Sequence, residues 1–229
     1  MGMVSSNGVK EADLLEVGRS QRQKNSRRKK QKRNRDIKKV VAVVLIIAIV
    51  VSVRFMTDAY LDNKAMDYLK TGEVPSWVDS RLLDEGNKSR PQLPLDEVNG
   101  IVIHYVANPG SSAEANRNYF NNPDTVVSSH FVVGLDGEII QCVPLYEQSV
   151  ASNSRNVDTI AIEVCHPDES GKFSMTTMNS LIKLTGWLMT TCRLAEDDII
   201  RHYDITGKLC PKYYVEHEDA WEDFKSQLK

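Results

Sequence analysis

The sequence predicts an α/β fold: a mixed central β-sheet with helices packed on its faces, preceded by a single N-terminal transmembrane helix. Three observations carry this reading. From Gly100 onward, short apolar runs of strand length alternate with stretches at helical spacing, the pattern of strands laid beside helices. An uninterrupted apolar run, Val40 to Val53, follows a dense cluster of Lys and Arg. The charge is also divided. Residues 1–39 hold 13 Lys and Arg against 4 Asp and Glu, and the rest of the chain holds 16 against 27, so the net charge of −2 describes neither part.

The basic part peaks at "RRKKQKRNR", Arg27 to Arg35. Such a run suits nucleic acid or an anionic membrane surface, and the next segment decides between them. Val40 to Val53 carries no charged residue and one serine over 14 residues. A bilayer core needs roughly 20 residues, which Ile37, Phe55 and Met56 help to supply, while Lys38, Lys39 and Arg54 can extend their charges to the interface. A basic flank beside a span is the expected topology signal, so nucleic-acid binding is set aside. The positive flank stays cytoplasmic and everything after Met56 lies outside. The long polar leader and the poor cleavage site in "VSVRFM" favour an uncleaved signal anchor over a secreted protein released from a signal peptide. The expected organisation is a basic, disordered cytoplasmic leader over 1–36, a transmembrane signal anchor over 37–56, an extracytoplasmic connector over 57–95, and a folded domain over 96–229.

Within that domain, "GIVIHYV" from Gly100 is a buried strand closed by the turn "NPG". Ser111 to Phe120 reads as a helix with a serine N-cap and Glu114 near its first turn. "VSSHFVVGLDGEIIQCVPL" is a pair of strands joined around Leu135-Asp136-Gly137. "TIAIEVC" is another strand, and its alternation puts Ala161, Glu163 and Cys165 on one face and Ile160, Ile162 and Val164 on the other. Ser174 to Cys192 is an amphipathic helix, "DDIIRHYDI" is strand-like, and "EHEDAWEDFKSQL" is a final helix striped by Trp221 and Phe224.

The chemistry concentrates in "RHYDITGKLCPKYY", Arg201 to Tyr214. His202 and Cys210 stand eight residues apart, with Gly207 to let the loop turn back. With His104 at the end of the first strand they make two histidines and a cysteine, a three-ligand zinc set that leaves a fourth position open. An ordinary loop is the competing reading, since no C-x-x-C pair is present, and His217 is a rival ligand although Glu216 and Glu218 flank it. Glu163 is costly to bury unless paired or hydrated. It is either an edge-strand carboxylate facing solvent or a general base for an activated water. Lys208 is either an exposed loop lysine or a cation that steadies an oxyanion. If Cys210 binds metal, only Cys142, Cys165 and Cys192 remain, so at most one internal disulfide can form.

The motifs "GIVIHYVANPGSSAEANRNYF", "SSHFVVGLDGEIIQCVPL", "RNVDTIAIEVCHPDESGKF" and "IIRHYDITGKLCPKYY", in this order over Gly100 to Lys225, resemble the zinc-dependent N-acetylmuramoyl-L-alanine amidases of the type-2 amidase family. That family shares its fold with phage lysozyme-like amidases and peptidoglycan recognition proteins. The resemblance implies zinc ligands at His104, His202 and Cys210, a general base at Glu163 and a catalytic lysine at Lys208. It implies Zn2+ with no small-molecule cofactor, peptidoglycan as substrate, and hydrolysis of the amide between N-acetylmuramic acid and L-alanine. Some relatives carry a tyrosine immediately before the histidine of the second motif. Here that position is Ser129, so the tyrosine's role does not carry over, and His130 stays outside the ligand set. A peptidoglycan-binding module without catalysis is the alternative, and the presence of Cys210, Glu163 and Lys208 together favours the enzyme.

Overall fold

A computed structural model describes residues 7–228. The first element is a long helix, α1 (Asn7–Lys70). No proline occurs before Pro75, and Lys, Arg, Gln and Glu are good helix formers, so nothing in this stretch interrupts propagation. The helix stops where Gly72 adopts φ +72 and donates its N–H to the Leu69 carbonyl at 3.1 Å, an ending that glycine permits at little cost. The leader expected to be disordered is therefore helical from Asn7; residues 1–6 lie outside the described residues. Its composition argues against tertiary burial, and its side chains from Leu14 onward are indeed exposed, but lack of burial does not forbid a helix. Among the described residues, α1 is the one helix long and apolar enough to cross a membrane.

The chain divides into two compact units, one ending at Ala59 and one beginning at Tyr60. The second unit takes in most of the expected connector. Leu69, Val78, Leu83 and Leu95 are all buried, and β1 (Asp79–Ser80) joins the sheet. Arg90 reaches Glu147 through two bonds of 2.8 Å, Nε to Oε2 and Nη2 to Oε1, and gives Nη1 to the Leu83 carbonyl at 2.7 Å. Residues 57–95 read as a connector because their prolines and charges mask scattered apolar residues. Those residues bury against surfaces that lie far away in sequence.

The sheet has six strands in the order β1-β4-β3-β5-β2-β6. They are β2 (Ile101–Tyr105), β3 (Phe131–Val133), β4 (Ile139–Gln141), β5 (Ile160–Val164) and β6 (Ile199–Arg201), together with β1. β3, β5, β2 and β6 are mutually parallel, and β4 turns back antiparallel to β3 through the predicted hairpin, with Gly137 at φ +84. The sheet is thus mixed, as expected, and helices pack on both faces. α2 (Ala113–Phe120) is capped by Ser112, whose hydroxyl accepts from the Ala115 N–H, and α3 (Met175–Cys192) is capped in the same way by Ser174.

The two faces carry separate cores. Ile101, Ile103, Ile160, Ile162 and Val164 pack with Leu181, Leu184 and Leu188 of α3. Each such leucine contributes about 1.5–3 kcal/mol when fully buried. Ala113 and Phe120 of α2 cover Val132, Ile140 and Cys165 on the other face. The predicted alternation of β5 holds, and it puts Glu163 on the α2 side. Beyond β6 the chain forms α4 (His202–Thr206), α5 (Lys212–Glu216) and α6 (Glu218–Ser226). The expected final helix is broken at His217, and Trp221 and Phe224 are its buried stripe. All four cysteines are free and buried.

Candidate active site

Strand register assembles the site at the C-terminal ends of β2, β5 and β6. Parallel pairing sets His104 directly beside Glu163 and Ile103 beside Arg201, so the next residue, His202, arrives next to His104. Their ring centroids are 4.6 Å apart. His202 opens α4, where the Asp204 carboxylate accepts the Arg201 N–H at 2.8 Å and turns the chain out of the sheet. Gly207, at φ +75, turns it again. The Tyr203 N–H then bonds the Cys210 carbonyl at 2.9 Å, which returns Cys210 to its histidines. The expectation that Gly207 lets the loop turn back is met.

His104, Glu163, His202, Lys208 and Cys210 line one cleft of about 200 Å³. A larger cavity, about 350 Å³, lies at the other ends of the strands among Met66, Leu69, Glu97 and Arg193, and it gathers none of these groups. One ligand atom from each of His104, His202 and Cys210 falls within 4.8 Å of the others, and Cys210 Sγ stands 3.8 Å from His104 Nδ1. Tetrahedral zinc with N and S ligands needs edges of roughly 3.5 Å. His104 and Cys210 are each 2 % exposed. Both Nε2 atoms are engaged elsewhere, on Ser152 Oγ at 3.2 Å and Asn153 Oδ1 at 2.9 Å. His202 Nδ1 is buried with no hydrogen-bond partner, and so is Glu163 Oε2. These orphaned atoms, beside a thiol, fit a soft divalent cation.

The electrostatics agree with that fit. Burial holds His104 well below the usual imidazole value, with His202 and Lys208 adding to the effect. Burial and Lys208 lower His202 as well. The rings are therefore neutral, the form that binds metal. Burial pushes the Cys210 thiol up to about 12, with Glu163 adding and the Tyr105 N–H and Lys208 opposing. A bound cation reverses such a shift by favouring the thiolate. Burial likewise lifts the Glu163 carboxyl to about 8, against the pull of Lys208. Lys208 itself is exposed at the cleft mouth.

The rival histidines sit elsewhere. His217 is exposed and stacks on Tyr213 with centroids 4.2 Å apart. His130 accepts the Ala161 N–H on Nδ1 at 3.0 Å and meets the Glu147 carbonyl with Nε2 at 2.9 Å, so both its nitrogens serve the backbone. Ser129 donates to the Phe131 carbonyl at 2.7 Å. Sequence reasoning missed Ser152 and Asn153. Their only signal was a polar run, "SNSRN", before the strand that bears Glu163.

Fold and site together define a cleft on an α/β sheet in which two histidines, a cysteine, a glutamate and a lysine meet. Residues 94–213 match the family described as N-acetylmuramoyl-L-alanine amidase, over half of the chain, and the chain belongs to that family. Among curated relatives, N-acetylmuramoyl-L-alanine amidase BlyA of Bacillus subtilis (strain 168) is 32 % identical over 162 residues, covering 62 % of this chain and 44 % of that protein. CwlL of Bacillus licheniformis, also named as this amidase, is 29 % identical over 157 residues, covering 61 % and 43 %. The chain thus spans under half the length of the curated relatives it matches. The catalytic domain of XlyA superposes with a TM-score of 0.59 at 29 % identity, covering 66 % of this chain and 99 % of that one. PlyL, at 22 % identity and a TM-score of 0.59, shares the fold.

Proposed function

We propose that this protein is a zinc-dependent amidase that cleaves the bond between N-acetylmuramic acid and L-alanine in peptidoglycan. The observation that carries the reading is the meeting of two imidazoles, one thiol and one unpartnered carboxylate oxygen in a single cleft, in a chain of this family. His104, His202 and Cys210 would hold the metal. Zinc there would polarise the scissile carbonyl and acidify a water.

Glu163 is the proton carrier. Its raised affinity for protons suits a group that takes a proton from the attacking water and returns it to the leaving nitrogen. The water oxygen bonds to the lactyl carbonyl carbon, the C–N bond breaks, and the stem peptide departs with a free amine. Lys208 brings an ammonium to the rim, where it can hold the negative charge that develops on the carbonyl oxygen. Phe120, Val127 and Val150 line the cleft and limit water around the reacting bond.

The charge division and the apolar stretch of α1 support a signal anchor over 37–56, with residues 1–36 cytoplasmic and the catalytic domain outside. Burial of Leu69, Leu83 and Leu95 supports a folded domain that begins near Tyr60 and not at residue 96.

The test is mass spectrometry of purified peptidoglycan digested by the detergent-solubilised full chain, with and without chelator. Release of free stem peptides that chelation stops is expected. Binding to peptidoglycan without release would instead identify a non-catalytic binding module.

A further inference from the structure

The turn that follows Val150 contains the two residues that orient the histidines. Ser152 Oγ lies 3.2 Å from His104 Nε2, and Asn153 Oδ1 lies 2.9 Å from His202 Nε2. These are consecutive residues, yet they serve histidines 98 positions apart in the chain. We propose that Ser152 and Asn153 are positioning residues of the metal centre, each holding one Nε2 so that both Nδ1 atoms face Cys210. The inference rests on the zinc reading above and adds the groups that choose the ligand nitrogen.

The chemistry of each contact supports it. An amide oxygen only accepts, so His202 must carry its proton on Nε2 and keep a lone pair on Nδ1. That Nδ1 is the buried atom without a partner. A hydroxyl both donates and accepts, so Ser152 orients the His104 ring while constraining its tautomer less. Asn153 should therefore matter more than Ser152.

The turn is rigid without help from the histidines. Asn156 Oδ1 accepts the N–H groups of Ala151 at 3.1 Å and Ser152 at 2.6 Å. The Arg155 N–H returns to the Ser152 carbonyl at 3.0 Å, and Thr159 Oγ1 donates to the Arg155 carbonyl at 2.6 Å, tying the turn to the start of β5. Ser152 is 1 % exposed. Asn153 sits at φ +53, a left-handed conformation that asparagine tolerates better than most residues. One preformed element thus sets both rings.

The left-handed backbone also supplies a clean experiment, because glycine adopts it without strain. Asn153→Gly removes the acceptor and keeps the turn, and Asn153→Asp keeps an acceptor. Two quantities are read on the full chain in detergent. One is zinc affinity by chelator competition. The other is the His202 tautomer in the metal-free protein, from 15N-histidine NMR. We expect Asn153→Gly to weaken zinc by about 10–100-fold, the usual scale for removing an outer partner of a ligand, and to mix the His202 tautomers. Asn153→Asp should retain the Nε2–H tautomer and wild-type zinc affinity, and Ser152→Ala should lose less than Asn153→Gly. Wild-type affinity and an unmixed tautomer in Asn153→Gly would overturn the proposal, as would an equal loss in Asn153→Asp. A wild-type chain that binds no zinc would overturn the metal reading itself, and the affinity measurement on wild type alone reveals that case.

Discussion

Glu163→Gln separates the cost of holding a carboxyl in the cleft from its use there. Glu163 Oε2 is sealed from water without a partner, and burial lifts the carboxyl from 4.5 to about 8. In the metal-free protein, the folded state therefore keeps a proton between these values that the unfolded chain has lost. Stability is full below 4.5 and falls as pH rises toward 8. At about 1.4 kcal/mol per pH unit above 4.5, the loss at pH 7 is at most about 3.5 kcal/mol. Glutamine is nearly isosteric and has no proton to lose. Urea unfolding of metal-free wild type and variant should give matching stabilities near pH 4. The variant should become the more stable protein at neutral pH, by up to that amount. Other titrating groups cancel in the difference. The same variant should keep zinc and lose turnover on peptidoglycan by about 10²-fold or more, the scale of a general base. Stability curves that run parallel from pH 4 to pH 7 would refute the desolvation argument, and near-wild-type turnover would remove Glu163 as the base.

His130 gives the opposite pH signature. Burial pushes it from 6.5 down to about 4, and protonation at Nδ1 would set it against the Ala161 N–H. Its contribution is complete above 6.5 and is lost as pH falls toward 4, up to about 3.5 kcal/mol. An NMR titration should find the ring neutral until the fold gives way, and a folded-state midpoint near 6.5 would contradict this. Cys210→Ser should lose zinc and activity together, because a hydroxyl is a far poorer anionic ligand; full zinc occupancy in that variant would exclude Cys210 from the centre. Protease added to intact protoplasts should degrade the domain and spare the leader, whereas a mature chain beginning near Phe55 would mean a cleaved signal peptide.

Much of the local structure was legible from local signals. The serine cap expected for the helix within Ser111 to Phe120 is Ser112, and the amphipathic stretch from Ser174 to Cys192 is helical. The Leu135-Asp136-Gly137 turn joins antiparallel strands, because glycine there relieves a positive φ. The alternation in β5 separated Glu163 from the isoleucines correctly, since side chains in a strand must change face at every residue. The five residues of the cleft could also be named from their types and spacing, aided by the resemblance to a family.

The misses share a physical cause. The leader was read as disordered because its composition offers no tertiary burial, and that does not forbid a helix made of good helix formers without proline. The segment from Tyr60 to Leu95 is held by burial of Leu69, Leu83 and Leu95 and by Arg90 on Glu147, and a surface that only folding creates leaves no periodic trace in the chain that docks on it. His130 was rightly left outside the ligand set, and the two backbone groups on its ring give the reason.

By itself, then, the sequence determined the chemical inventory: a basic flank beside an apolar span, strands and helices at readable periods, and the His, Cys, Glu and Lys side chains from which a metal cleft can be made. The tertiary structure alone decided their arrangement. Parallel register between β2 and β5 sets His104 beside Glu163, and the order of strands brings His202 to them. The turn at Ser152 and Asn153 engages Nε2 on each ring. Periodicity is a property of neighbours along the chain, whereas which nitrogen of each imidazole is engaged depends on contacts between residues about 50 positions apart.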